Sequence, residues 1–264
     1  AAAVRRRWPM FRLDGDTTVV YQAESGLVRA SAANAAHRAL AAANGATLLE
    51  RSRVTAVEPA SSGFTVVFGD ERVDVDRLIV TADAWTNEIV AGLGWKVNLV
   101  VTQEQVAYFD AAAELGSMPV WIWMDDPAFY GLPDVDGSGV KIGQDVGGVT
   151  ATGDDRSFEP DPAYRERLIR FQEQLLPDTT GTIVEERTCL YTMTPDREFV
   201  LDHVPGHEGA VVGLGAAHGF KFAGVFGKVL AELAIDGTTG HDVSGWPATR
   251  PILTEPDPVL TFLL

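Results

Sequence analysis

Gly213-Leu-Gly-Ala-Ala-His218-Gly219-Phe220-Lys221-Phe-Ala-Gly224 joins two patterned segments. Before it stands the short apolar run Ala210-Val-Val-Gly-Leu214; after it, Phe222, Val225, Phe226, Val229, Leu230 and Leu233 recur at helical spacing and Gly237 follows. An apolar run of strand length, a glycine-bearing loop and an amphipathic helix with a glycine stop form the strand–loop–helix unit of α/β sheets. The loop also has chemical potential. The first N–H groups of a helix lack internal partners and carry partial positive charge, glycines permit close approach, and Lys221 and His218 add a cation and a donor. It suits an anion, or a ring that gains negative charge, and it equally suits a plain turn whose glycines ease packing. The spacing is not Gly-x-Gly-x-x-Gly, because the third glycine comes one residue late.

Working outward, Leu78-Ile-Val-Thr-Ala82 is a continuous apolar run, which predicts a strand buried on both faces. Before it lie an alanine-rich helix over residues 30–44, stopped by Gly45, and a hairpin of Phe64–Phe68 and Val73–Asp76 about the turn Gly69-Asp70-Glu71. The middle of the chain reads as β: 98–109, 120–124, 128–130 and 140–143 are rich in Val, Ile and aromatics, with turn clusters such as Pro133-Asp-Val-Asp-Gly-Ser-Gly139 between them. Over 161–176, Tyr164, Leu168, Phe171 and Leu175 mark one face of a helix closed by Pro177. The expected class is α/β in the α+β sense. One subdomain is built from residues 1–95 and 185–264, and an antiparallel β subdomain over 96–184 is inserted into it.

The composition narrows the partners. Of 264 residues, 46% are hydrophobic and 22% charged, which fits a globular chain able to bury a core. With 21 Lys plus Arg against 37 Asp plus Glu, the net charge of −16 repels phosphate backbones and anionic lipid, so neither nucleic acid nor membrane is expected as a partner. No apolar run approaches a bilayer's thickness, and the basic N-terminus has no apolar stretch behind it. With one cysteine no internal disulfide forms, and a cytoplasmic location is expected.

Few residues offer chemistry. Cys189 is either a small buried hydrophobe or a reactive thiol, and the second role needs nearby positive charge; Arg187 supplies some, while Glu185 and Glu186 oppose it. Lys141, within Gly139-Val-Lys-Ile-Gly143, either points to solvent or is partly buried with a shifted pKa, where it would attract anions and reduced oxygen species. The five histidines show no metal spacing, and no Gly-x-Ser-x-Gly elbow is present, so metal and triad chemistry are set aside.

Together, Arg7-Trp-Pro9, Leu78-Ile-Val-Thr-Ala-Asp-Ala-Trp85, Tyr130-Gly-Leu-Pro133, Val140-Lys-Ile-Gly143, Thr188-Cys-Leu-Tyr-Thr192 and His218-Gly-Phe-Lys-Phe222 resemble, in order and interval, the monomeric sarcosine oxidase and N-methyltryptophan oxidase family. The resemblance implies a partial FAD-binding three-layer domain of the D-amino-acid-oxidase type, interleaved with an antiparallel β-sheet substrate domain. It implies FAD as cofactor, attached through Cys189 or held without a covalent bond, with Val54, Trp85, His218, Gly219, Phe220 and Lys221 on the cofactor. Lys141 and Lys221 are implied as catalytic, the first promoting reaction with dioxygen and the second pairing with a substrate carboxylate. Tyr191, Tyr130, Phe129 and Asp145 are implied at the substrate, with Trp121 and Trp123 as further aromatic candidates. The implied reaction oxidises a secondary amine or amino acid to an imine, with dioxygen giving hydrogen peroxide.

The sequence departs from the family's pattern in three ways. It contains no Gly-x-Gly-x-x-Gly βαβ unit, so a second polypeptide supplying that unit, or self-association, is expected. Asp83 stands where the family has glycine, which should weaken FAD binding, and Asp145 stands where the family has a pocket histidine. The alternative reading is a non-enzymatic substrate-binding or interaction module of the same family.

Overall fold

A computed structural model describes residues 1–110, 117–177 and 181–261. In chain order the helices are α1 (Ala2–Arg7), α2 (Ala30–Ala43), α3 (Thr86–Val90), α4 (Pro162–Leu175) and α5 (Ala223–Asp236). The strands are β1 (Val54–Pro59), β2 (Phe64–Phe68), β3 (Glu71–Val75), β4 (Leu78–Val80), β5 (Val100–Phe109), β6 (Trp121–Trp123), β7 (Ala128–Leu132), β8 (Val140–Asp145), β9 (Val149–Thr150), β10 (Ile183–Met193), β11 (Val200–Val204) and β12 (His207–Leu214). Two compact units result, the first from Ala1–Leu27 and Thr102–Leu190, the second from Val28–Val101 and residues 191–261.

In the first unit the strands follow the order β10-β5-β8-β7-β6, with β9 on β5. The period of two sorts β8 into two faces. Val140 and Ile142 are buried in the core, while Lys141 and Gly143 lie opposite Tyr108 and Val106 of β5 on the other face. The core face packs on α4 through Tyr164, Leu168, Phe171 and Leu175, the four positions expected from the sequence. Asp161 caps this helix by accepting a hydrogen bond from the Ala163 N–H at 2.8 Å, and Pro162 opens it without losing a needed donor. Asp161→Ala is expected to lower this unit's stability by about 1 kcal/mol, read from the urea midpoint; an unchanged midpoint would discount the cap.

Residues 1–27, expected with the other subdomain, pack here instead. Trp8, Phe11 and Leu13 enter the first unit's core, and the Arg12 N–H donates to the Leu175 carbonyl at 2.8 Å. Local patterning carries no information about such distant docking.

The second unit holds two small sheets. β1, β2 and β3 form an antiparallel meander in which Phe64 faces Val75 and Phe68 faces Glu71, close to the expected hairpin. In the other sheet, ordered β11-β12-β4, β4 runs parallel to β12, with Leu78, Ile79 and Val80 opposite Ala210, Val211 and Val212. β4 is not buried on both faces as its composition predicts: it ends the sheet, and Ile79 is 44% exposed. α5 buries Val229, Leu230, Leu233 and Ala234, whereas Phe222 and Val225, expected on that face, are exposed at its start. α2 forms where the alanines predict it, and none of its residues is buried.

Candidate functional site

In the first unit the chemistry gathers around Lys141 and Cys189. Lys141 stands directly across from Tyr108, and its ammonium lies 5.7 Å from the centroid of the Tyr130 ring. Gly143 makes room for that ring: a Cβ there would come within 2.7 Å of Tyr130 Cζ. Lys141 is half-buried, and the loss of water pushes its pKa below the ordinary value of 10.5, with Cys189 pulling the other way and Arg187 adding to the fall.

Cys189 is also half-buried. Burial and the Glu104 carboxylate push its thiol up, while Lys141 and Arg156 pull it down. The cations acting on the sulfur are therefore Lys141 and Arg156 rather than Arg187. Arg187 is tied to Glu185 at 2.6 and 2.9 Å and lies over the Tyr108 ring at 5.3 Å. Glu186 is held by Arg165 and Gln105 at 2.8 and 2.7 Å. Arg156 reaches β10 by donating to the Thr188 carbonyl and hydroxyl at 2.9 and 3.0 Å, with Phe158 stacked 4.0 Å from its guanidinium carbon.

Asp145 lies opposite Ala128 on the same face as Lys141 and Gly143. Phe129 faces the other way. It is 5% exposed and stacked on Phe171 with centroids 3.8 Å apart, so it belongs to the core. Trp121 and Trp123 pack against the same core.

In the second unit the strand–loop–helix segment is tighter than its sequence suggests. Gly219–Phe222 form a 3-10 turn ahead of α5, and Ala216 and Ala217 both take left-handed backbone with φ of 45° and 69°. His218 Nε2 lies 3.0 Å from the Arg197 carbonyl oxygen, and Lys221 Nζ donates to the His218 carbonyl at 2.9 Å. Gly219 is buried against Phe226, while Phe220 and Lys221 are exposed.

Two clefts line this unit. One, of about 600 Å³, is walled by Val54, Val57, Val66, Leu78, Val80 and Trp85, with Arg53 and Glu88 paired at 2.9 Å on its rim. The other, of about 290 Å³, lies against Gly213, Gly215, Gly219, Ala223 and Gly227. Gly224 and Gly227 have no atom within 4 Å of where a Cβ would stand, so an additional group can approach the α5 backbone there. Thr81 and Asp83 line both clefts. Asp83 has left-handed backbone, φ 48°, and withdrawal of water from its carboxyl pushes its pKa up although the residue retains exposed surface.

Of the residues singled out in the sequence, Lys141, Tyr130, Asp145 and Cys189 fall in the first unit, Cys189 having been expected in the subdomain of residues 1–95 and 185–264, and Val54, Trp85, Tyr191, His218, Gly219, Phe220 and Lys221 fall in the second. Sequence reasoning missed Tyr108 and Glu104, whose only signal is strand register, and Arg156, which reaches β10 from the loop between β9 and α4. Among the described residues no cluster of His, Cys, Asp and Glu could hold a metal ion, and no helix is long and apolar enough to cross a membrane.

Comparison with known proteins gives a consistent answer. A family model described as FAD dependent oxidoreductase matches residues 1–233. The monomeric sarcosine oxidase of Streptomyces avermitilis is 31% identical over 256 residues, covering 92% of this chain and 66% of that relative. The N-methyl-L-tryptophan oxidase of Salmonella arizonae is 27% identical, covering 95% and 68%. Among solved structures, NikD, an unusual amino acid oxidase essential for nikkomycin biosynthesis, superposes with a TM-score of 0.70 at 25% identity, over 81% of this chain and 58% of its own. The chain thus spans about two thirds of its curated relatives' length and less of NikD.

Proposed function

The chain belongs to the FAD dependent oxidoreductase family, and from that premise we propose that it carries the amine-oxidising part of a flavoenzyme. The reaction is oxidation of a secondary amine or amino acid at its C–N bond to an imine, with dioxygen as acceptor and hydrogen peroxide as product. Bound FAD supplies the two-electron sink between amine and dioxygen. The observation that carries this reading is Lys141, a half-buried ammonium facing Tyr108 in a sheet that also holds the chain's single cysteine.

The residues present fit such a group at most positions. In the first unit, Gly143 makes room for the Tyr130 ring near Lys141, leaving a cation and an aromatic ring on one sheet face. The Lys141 ammonium stabilises negative charge developing near it, an effect enlarged where water is scarce. The Asp145 carboxylate, on the same face, attracts a protonated amine. In the second unit, Val54 and Trp85 offer apolar walls for the adenine end, and the unobstructed backbone at Gly224 and Gly227 admits a close-lying ligand. The Lys221 ammonium and the turn before α5 favour an anionic ring or a substrate carboxylate. Asp83 is the position that does not fit. Cys189 is the attachment point in the covalent form of this reading; burial and Glu104 hold its thiol above the ordinary value, and Lys141 and Arg156 offset part of that rise toward the thiolate that attachment requires.

The sheet end at β4 and the unburied α2 support a further element of the reading. A βαβ unit, supplied by the same polypeptide, by a second one or by another copy, pairs along β4 and covers α2.

The test is the near-ultraviolet and blue absorbance of the purified protein before and after acid precipitation. Colour retained in the pellet supports flavin attached at Cys189, and colour released to the supernatant supports flavin without the thioether. A colourless protein that stays colourless when FAD and a βαβ-bearing partner are added would instead favour the non-enzymatic module.

A further inference from the structure

Asp83 joins two observations that the proposed reaction does not use. It lines both clefts of the second unit, so a ligand long enough to occupy both must pass it. It also has left-handed backbone, a conformation held at this junction by a residue with an ionisable side chain. The other charged groups on the cleft walls are Arg53 and Glu88, both on the larger cleft and already paired with each other. The smaller cleft has no charged wall besides Asp83; the rest is glycine, alanine, threonine, Phe226 and Leu230. A phosphate group entering the junction therefore meets a carboxylate with no local cation to offset it. Two like charges within a few ångströms repel by kilocalories wherever the dielectric is below that of bulk water.

We propose that Asp83 is a specificity-determining residue that disfavours phosphate-bearing ligands in these clefts, so that the chain takes the diphosphate of FAD poorly relative to an uncharged flavin. This rests on the flavin reading above and adds a ligand preference to it. Asn is the appropriate probe, because it keeps the shape and tolerates left-handed backbone while removing the charge. Gly does the same without a side chain.

The experiment is titration of the full chain with FAD and, separately, with riboflavin, following flavin fluorescence for the wild type, Asp83→Asn and Asp83→Gly. Both variants should bind FAD at least about tenfold more tightly than the wild type, with riboflavin affinity unchanged. FAD binding of equal strength in all three proteins would overturn the inference and leave the flavin reading standing. Equal gains for riboflavin and FAD would overturn it in favour of a packing effect. Failure of all three proteins to bind either flavin, with the βαβ-bearing partner added as well as without it, would overturn the flavin reading and this inference with it. Circular-dichroism melts confirm that the variants fold.

Discussion

Lys141→Met is expected to slow the dioxygen half-reaction by roughly 100-fold or more, the scale seen when one preorganised charge is removed from a site. Anaerobic oxidation of the amine should change by no more than about a few fold. Two features lead there. The ammonium is half-buried across from Tyr108, where its charge is worth more than in bulk water, and the first unit's other nearby cations have competing attachments, Arg187 to Glu185 and Arg156 to Thr188. Met fills the same volume without charge. The pH profile provides an independent readout. Because burial lowers the Lys141 pKa below 10.5, the ammonium and its effect are full at low pH and are lost as pH rises through that lowered value. A decline in dioxygen reactivity in the alkaline range, absent from Lys141→Met, is the expected signature. Stopped-flow mixing with dioxygen measures it, and a variant as fast as the wild type would remove Lys141 from the mechanism.

Tyr164→Phe is expected to destabilise the first unit by about 2–3 kcal/mol, well beyond the loss of an ordinary exposed hydroxyl. Glu104 is 1% exposed and no cation pairs with it among the described residues. Its carboxylate is satisfied by the Thr102 hydroxyl at 2.6 Å, the Tyr164 hydroxyl at 3.0 Å and, more weakly, the Gly147 N–H at 3.4 Å. Burial and the nearby Glu104 charge drive the Tyr164 pKa far above its usual value, so the phenol remains a donor through the accessible pH range. Phe preserves the packing and deletes only the donor, leaving a dry carboxylate short of one partner. Urea denaturation checks this, and a loss below about 0.5 kcal/mol would show that water or relaxation replaces the phenol.

What could be read from the sequence follows the range of the interactions involved. β2 and β3 were legible because alternation and a turn are local signals, and α4 because Tyr164, Leu168, Phe171 and Leu175 recur at helical spacing ahead of Pro177. α3 was missed, since five residues between two 3-10 turns carry too little periodicity. The docking of Trp8, Phe11 and Leu13 and the exposure of Ile79 depend on what lies next to a segment in space. The candidate site divides in the same way. Cys189, Lys141 and the His218–Phe222 segment stand out by residue type. The pairing of Tyr108 with Lys141 needs register, and left-handed backbone at Ala216 and Ala217 has no signal in alanine, which rarely adopts it.

Gly143 gives the first unit an unusual evolutionary handle. The seat of the Tyr130 ring is fixed by an atom that is missing, since the ring occupies the space a methyl group would fill. Replacing that glycine by alanine would push the Tyr130 ring and its hydroxyl aside while leaving the charges of Lys141 and Asp145 unchanged. Shape and chemistry can therefore drift separately here, with position 143 remodelling the contour and Lys141 and Asp145 preserving the electrostatics. A library limited to small apolar residues at that single codon would sample new substrate outlines without altering Lys141 or Asp145.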